Sequence, residues 1–154
     1  MAERITPDGL AMTPHQRRLV KQSCELLRDQ AGAVSLLFYG RLFELDPSTR
    51  RLFHNDLAAQ GQKLMDTLGA VTMSLDQFDS VRPRLAELGR QHADYGVLPG
   101  HYESVIQALL WALGHALGAD FDAPTREAWH AALAAVTAAM QMGPGSVTAS
   151  AEPT

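Results

Sequence analysis

Apolar residues recur at helical spacing along almost the whole chain between residues 13 and 142, and no stretch keeps up an alternation of apolar and polar residues. Helical spacing puts apolar side chains on one face of a helix, whereas a half-buried strand requires alternation. Prolines support the same interpretation, because the first turn of a helix tolerates a residue without an N–H. They stand in Thr13-Pro14, Asp46-Pro47 and Ala123-Pro124. The sequence therefore predicts an all-α domain of about six or seven unequal helices.

The limits of the predicted helices follow from this periodicity and from the glycines and prolines between them. The predicted helices span residues 14–27, 31–45, 47–53, 60–75, 81–95, 100–117 and 123–142. Residues 55–59 form a connector whose structure the pattern does not decide. We expect a flexible N-terminal arm over residues 1–12 and a flexible C-terminal tail over residues 143–154, because both have little to bury. The helical domain covers residues 13–142.

Composition and charge exclude several classes of partner. The length of 154 residues suits a single domain. The formal net charge is -4, and the 13 Lys and Arg residues form no basic cluster that could bind nucleic-acid phosphates. No apolar run approaches the roughly 20 residues that a membrane span needs, and no signal-peptide pattern follows Met1. Cys24 is the single cysteine, so no disulfide can form within the chain. We therefore expect a cytoplasmic protein that contacts neither nucleic acid nor membrane.

His92 is the histidine best placed for metal chemistry. It follows Leu88 by four residues, so both side chains lie on the same face of a predicted helix. One ring nitrogen can then bind a metal while the other donates to the backbone carbonyl of Leu88, which fixes the tautomer. A core histidine satisfied by hydrogen bonds would fit the same position, and for a single residue that alternative is the more frequent one.

The other histidines give weaker signals. His15 and His101 stand at predicted helix starts, where we expect both to be exposed. His115 and His130 lie on the last two predicted helices without a carboxylate or cysteine at ligand spacing. The sequence contains no zinc signature, nucleophile elbow or phosphate-binding loop. His92 is therefore the principal candidate for a ligand.

The residues around His92 closely resemble the proximal-histidine region of globins, especially bacterial single-domain globins and the haem domain of flavohaemoglobins. In those proteins a helix ends with the iron-binding histidine. A glycine-containing corner follows, then an apolar residue at the haem edge, then a proline and a tyrosine that open the next helix. The same order is found in His92, Gly96, Val97, Pro99 and Tyr102. The resemblance implies a globin fold around a haem pocket, with haem b (iron protoporphyrin IX) as the cofactor and His92 as its iron ligand.

The resemblance continues upstream and covers roughly residues 13–142. Phe53 falls where globins place the phenylalanine that wedges against the porphyrin. Tyr39 falls where bacterial globins place a tyrosine over the iron, and Gln60 falls at the gas-facing position of the distal helix. The resemblance also implies further cofactor contacts, in which Lys63 would reach a propionate and Tyr102 would hydrogen-bond on the proximal side. The other implied contacts are Leu64, Leu88, Val97 and Ile106.

Tyr39 and Gln60 are the candidate reactive residues of this site. O₂ held over a haem iron carries negative charge on its outer oxygen, and a phenol O–H and an amide N–H could donate to it in a dry pocket. Each residue also has a structural alternative. Tyr39 could be a buried tyrosine bonded to a backbone carbonyl, and Gln60 could be a solvated residue at a helix start.

The function that the resemblance implies is reversible binding of the diatomic gases O₂, NO and CO, with a part in O₂ scavenging or NO detoxification. NO dioxygenation would need electrons from a separate reductase, because no reductase region follows the globin-like residues. The stretch Met140-Gln-Met-Gly-Pro144 has no glutamate where flavohaemoglobins carry one, so we expect a weakly polarised His92. The alternative is a cofactor-free globin-like helical domain with a regulatory or interaction role.

Overall fold

The fold is described from a computed structural model, which covers residues 10–53 and 56–142. Six α-helices fill most of these ranges, and no strand occurs within them. The helices are α1 (Pro14–Leu26), α2 (Ala31–Leu45), α3 (Leu57–Met73), α4 (Phe78–Asp94), α5 (Pro99–Leu117) and α6 (Ala123–Met142). The predicted all-α class is confirmed. Residues 1–9 of the expected arm, residues 54–55 and the expected tail at residues 143–154 lie outside the described residues.

Most helix limits agree with the sequence prediction, and the differences have local causes. Helices α2 and α6 span the predicted ranges. Helix α3 begins at Leu57, inside the undecided connector, because the Asp56 carboxylate accepts the backbone N–H two residues later at 3.0 Å. Helix α4 begins at Phe78, one turn before Val81, and Phe78 is fully buried. The predicted short helix is a 3₁₀ segment, Pro47–Leu52.

The start of α1 shows that part of the expected arm is packed. Leu10 and Met12 are only 1% and 2% exposed. The buried guanidinium of Arg17 donates to the backbone oxygens of Leu10 and Met12, both at 3.3 Å, and to that of Leu75 at 2.8 Å. The expectation of a flexible arm is therefore wrong for residues 10–12, because an arginine inside the fold binds their carbonyl groups.

The core is formed by helices that cross one another around α5. Helix α2 packs against α3 and α5, and α6 packs against α1 and α4. Trp129 of α6 is 1% exposed, and its indole N–H donates to Ser23 Oγ of α1 at 2.7 Å. Helix α5 contributes Ile106, Leu109 and Leu113 to the core, and all three are buried. This packing fixes α2, α3 and α4, which carry most of the candidate site.

Helices α4 and α6 approach each other closely at Gly89. A Cβ atom at this position would lie 1.8 Å from the backbone oxygen of Met140. A backbone oxygen cannot rotate away as the end of a side chain can, so only glycine fits between the two helices. Gly89 directly follows Leu88, and the contact therefore fixes the stretch of α4 that leads to His92.

We predict that Gly89→Ala lowers the free energy of unfolding by roughly 1–3 kcal/mol, because overpacking forces backbone shifts. Urea unfolding followed by circular dichroism measures the change. Gly40→Ala is the matched control: Gly40 is exposed in the middle of α2, with no heavy atom within 4 Å of its added Cβ. Without a clash, alanine there should raise stability by about 0.5–1 kcal/mol. Equal stabilities of the two variants would contradict the account.

Candidate functional site

Tyr39 lies in a cluster of aromatic rings that joins α2 to the end of the Pro47–Leu52 segment. Its ring centroid is 5.1 Å from that of Phe53, in an edge-on arrangement, and 5.1 Å from that of Phe38. Phe43 completes the cluster, with its centroid 5.7 Å from that of Phe53. The structure thus brings together Tyr39 and Phe53, which come from separate segments and which the family resemblance assigns to one site.

The Tyr39 side chain is buried, and its hydroxyl makes no hydrogen bond to another residue that the structure describes. The alternative of a hydroxyl bonded to a backbone carbonyl is therefore not observed there. Burial raises the pKa of the Tyr39 phenol above its ordinary value, so the phenol keeps its proton at neutral pH. A buried, protonated hydroxyl is a donor that can serve a ligand.

Gln60 stands in the first turn of α3 and is partly buried. Its Oε1 is enclosed and has no hydrogen-bond partner among the residues that the structure describes. Leaving a buried amide group unsatisfied costs roughly 1–3 kcal/mol, which marks the group as one that a ligand could satisfy. A half-turn of the amide exchanges its oxygen for the NH₂ group, so the same position can present a donor.

The residue after Gln60 brings α3 close to Tyr39. A Cβ atom at Gly61 would lie 2.5 Å from Ser35 Oγ and 3.5 Å from Tyr39 Cε2. The absence of a side chain at Gly61 therefore allows α3 to lie directly on α2. The two candidate donors, Tyr39 and Gln60, consequently stand on neighbouring surfaces of two packed helices.

His92 lies in the last turn of α4, and its ring is partly buried. Its Nδ1 is 2.8 Å from the backbone oxygen of Leu88, as the spacing of the two residues predicts. A carbonyl oxygen can only accept, so Nδ1 carries the proton and Nε2 of the neutral ring keeps its lone pair. Nε2 makes no hydrogen bond to a residue that the structure describes. The ring is thus oriented like the imidazole of a metal ligand.

The corner after His92 is held by its own backbone. The N–H of Val97 donates to the His92 oxygen at 3.0 Å. Gly96 adopts a φ of 102°, a conformation that side chains rarely permit, and so allows the chain to reverse between these two residues. Val97, expected at the cofactor edge, is partly buried at this corner.

The other predicted contact residues differ in burial. Ile106 is buried, and Leu64 and Leu88 are half-buried and packed against the core. Lys63 is exposed and forms no ion pair with a described residue. The pKa of the Tyr102 phenol is raised by burial, but its hydroxyl makes no hydrogen bond to a described residue. The hydrogen bond expected from Tyr102 on the proximal side is therefore not seen within the described part of the chain.

A cleft of about 400 Å³ separates α3 from α4. Its lining combines apolar side chains such as Val71 and Leu85 with the charged Arg84 and Glu87, and it does not include His92. Leu88 is shared between this cleft and the hydrogen bond that orients His92. Helix α3, which carries Gln60, and helix α4, which carries His92, are therefore separated along part of their length.

The expectation that His101 is exposed is wrong, whereas His15 is exposed as expected. His101 is only 4% exposed, and each of its ring nitrogens has a hydrogen-bond partner within the protein. The backbone N–H of Leu98 donates to Nδ1 at 2.9 Å, and Ser48 Oγ lies 3.3 Å from Nε2. The bond from Leu98 to His101 is one half of a capping-box arrangement, in which the side chain three residues after the N-cap accepts the N-cap N–H. Leucine has no side-chain acceptor for the other half, so the sequence carried no capping-box signal.

The structure also limits other kinds of site. Among the described residues, no three His, Cys, Asp or Glu side chains are grouped so that they could hold a metal ion. A metal at His92 would therefore need most of its ligands from a cofactor. None of the described helices is long and apolar enough to cross a membrane.

Comparison with known proteins agrees with this geometry. The family model described as Globin matches residues 36–140. Among curated proteins, neuroglobin of Chaenocephalus aceratus is 30% identical over 146 residues, which cover 86% of this chain and 92% of that protein. The flavohemoprotein of Vibrio cholerae serotype O1 is 25% identical over 124 residues. That match covers 79% of this chain but 32% of the flavohemoprotein, so the chain spans about a third of that relative.

A solved structure supports the same fold. It is an engineered carbene transferase made from a candidate nitric oxide dioxygenase of Rhodothermus marinus. It is 28% identical in sequence, superposes with a TM-score of 0.76, and covers 91% of this chain and 96% of its own. The predicted globin fold is thereby confirmed. The helix order, the shared fold and the match over residues 36–140 together show that this chain belongs to the globin family.

Proposed function

We propose that this protein binds haem b between α3 and α4, with His92 Nε2 as the axial ligand, and that it holds O₂, NO or CO on the side of Tyr39. The observation that carries the proposal is the orientation of His92. Its Nδ1 is bonded to the Leu88 oxygen at 2.8 Å, and its Nε2 has no partner among the described residues. One histidine suffices because the porphyrin itself supplies four nitrogen ligands.

The residues present fit a haem in other respects. The Gln60 amide has a buried atom without a partner, and the buried Tyr39 hydroxyl is unpaired among the described residues. The rings of Phe38, Phe43 and Phe53 lie around Tyr39, and most cofactor sites are lined by apolar side chains in this way. The apolar residues that we assign to the haem are Phe53, Leu64, Leu88, Val97 and Ile106. Lys63, which is exposed next to this site, is assigned to a propionate.

Tyr39 and Gln60 would act on the bound gas through hydrogen bonds. A protonated phenol and an amide N–H stabilise a ligand that carries negative charge, and burial strengthens both interactions. O₂ gains more from these donors than CO, because CO accumulates less charge. The pair therefore slows the release of O₂ selectively.

We assign the protein to O₂ scavenging or NO detoxification. Haem, when bound, supplies an iron that takes up O₂ and, with an electron supply, allows NO to be converted to nitrate. Support comes from the similarity to flavohemoproteins and to the structure made from a candidate nitric oxide dioxygenase. NO dioxygenation consumes an electron, and we assign its supply to a reductase partner.

The partner of His92 bears on the kind of chemistry. Nδ1 is bonded to a backbone carbonyl and not to a carboxylate, so the imidazole is a modest electron donor to a metal. On α6, the backbone oxygen of Met140 lies against Gly89. Met140, Gln141 and Met142 provide no acid there. A weak donor favours gas binding over the cleavage of peroxide.

We predict that His92→Gly weakens haemin binding by at least about tenfold, the effect of roughly 1.4 kcal/mol. It should also remove the Soret band of a histidine-ligated haem. Added imidazole should restore that band, because it replaces the missing ring. His130→Ala, which removes an exposed histidine of α6, is the control and should match the wild type. A normal spectrum for His92→Gly would disprove the ligand assignment, and a wild-type protein that takes up no haemin would favour the cofactor-free alternative.

We predict that Tyr39→Phe speeds the dissociation of O₂ by about 10- to 100-fold, because a hydrogen bond to a charged group contributes roughly 1.5–3 kcal/mol. CO dissociation should change much less. Stopped-flow displacement of O₂ by CO, and of CO by NO, measures both rates. Tyr95→Phe removes the hydroxyl of a tyrosine that is 79% exposed and serves as the matched control. If Tyr39→Phe leaves the O₂ dissociation rate unchanged, the prediction is wrong and the hydrogen-bond donor is Gln60 or water.

A further inference from the structure

His101 links two segments that are distant in sequence. It lies in the first turn of α5 and is 4% exposed. Its Nδ1 accepts the N–H of Leu98 at 2.9 Å, so this nitrogen carries no proton in the neutral ring. The proton is therefore on Nε2, which donates to Ser48 Oγ at 3.3 Å. Ser48 belongs to the Pro47–Leu52 segment.

The hydrogen bonds continue from Ser48 to Asp46. The Ser48 hydroxyl donates to Asp46 Oδ1 at 2.6 Å, and the hydroxyl of Ser104 on α5 donates to Oδ2 at 3.2 Å. The pKa of Asp46 is lowered, chiefly by the hydrogen bond from the Ser48 side chain, so the carboxylate is ionised at neutral pH. Each donor in the chain from Leu98 to Asp46 thus has an acceptor, and all the bonds point the same way. We call Leu98, His101, Ser48 and Asp46 the His101 bridge.

The bridge ends on the corner that follows His92. Val97 donates to the His92 oxygen at 3.0 Å, and Leu98, the next residue, donates to His101. Gly96 of the same corner also lies near the Pro47–Leu52 segment. A Cβ atom at Gly96 would lie 3.7 Å from Leu52 Cδ2, which is ordinary packing distance. The corner is therefore held at one end by His92 and at the other by the bridge.

We propose that His101 is a positioning residue, which ties the corner of residues 95–98 to the Pro47–Leu52 segment and thereby sets how His92 presents Nε2 to the iron. This inference rests on the proposed haem function. Bonds beyond the ligand orient metal-binding histidines, and small displacements of a site change its function strongly. The bridge also links the corner that contains Val97 to the segment that ends next to Phe53, and both residues are assigned to the haem.

A helix cap alone does not account for His101. Capping Leu98 uses only Nδ1, and a glutamine or glutamate at this position would provide the same acceptor. The second nitrogen reaches Ser48, and through it a carboxylate, from another part of the chain. The two functions can be separated by experiment, because Ser48 is exposed and its removal leaves the cap and the core in place.

The test compares Ser48→Ala, which breaks the bridge but keeps the cap, with Ser48→Thr, which retains a hydroxyl. Ser80→Ala is the matched control, since Ser80 is exposed and its hydroxyl donates only to Gln77 nearby. Amide exchange at Val97 and Leu98 in the haem-free protein should rise about two- to tenfold in Ser48→Ala, the effect of losing roughly 0.5–1.5 kcal/mol. In the haem-loaded ferrous protein, the iron–histidine stretching band should shift or broaden, and haemin loss should accelerate by a similar factor.

The proposal is supported if Ser48→Ala shows faster amide exchange and an altered iron–histidine band. Ser48→Thr and Ser80→Ala should both match the wild type in these two measurements. His101→Gln, which keeps an acceptor for Leu98, should behave like Ser48→Ala. An iron–histidine band in Ser48→Ala identical to that of Ser80→Ala would overturn the positioning role, even if amide exchange were faster. If the wild-type protein binds no haem, the proposed haem function itself is wrong, and this result is distinct from the failure of the positioning role. Faster amide exchange in Ser48→Ala would in that case show only that the His101 bridge stabilises the corner, and the positioning role would be overturned.

Discussion

The hydrogen bond from His92 Nδ1 to the backbone oxygen of Leu88 is the interaction on which the proposed site depends. It decides which nitrogen carries the proton and so leaves the lone pair on Nε2. Because both residues belong to α4, the direction of the ring follows from the helix itself. Anything that moves this turn of α4 would move the nitrogen, and the surrounding packing is arranged so that the turn has little freedom.

Close contacts between backbones provide that restraint. Gly89 follows Leu88 and touches the backbone of α6, so α4 cannot slide along its neighbour without a clash. On the opposite side, Gly61 lets α3 lie on α2 beside Tyr39. The ligand side and the gas side of the site are therefore each positioned by a glycine between two helices. The His101 bridge adds a polar connection between the corner after His92 and the segment that ends next to Phe53.

Much of the fold could be predicted from the sequence because helical periodicity and proline positions are local signals. The limits of α2 and α6, and the bond between His92 and Leu88, follow from residues close together in the chain. The packing of residues 10–12 could not be predicted, because it depends on Arg17 turning into the fold toward their carbonyl groups. The burial of His101 was missed for a similar reason, since its second partner, Ser48, is distant in sequence. The adjacency of Tyr39 and Phe53 was expected only through the family resemblance, and the roles of both residues stay predictions.

A crystal structure of the protein reconstituted with haemin, in the ferrous form with CO bound, tests the central claim most directly. The account predicts that His92 Nε2 is bonded to the iron, with Nδ1 still on the Leu88 oxygen. It also predicts that the Tyr39 hydroxyl faces the CO on the opposite side of the porphyrin. An iron bound by any other side chain on that face, or a His92 ring turned away from the Leu88 oxygen, would contradict it.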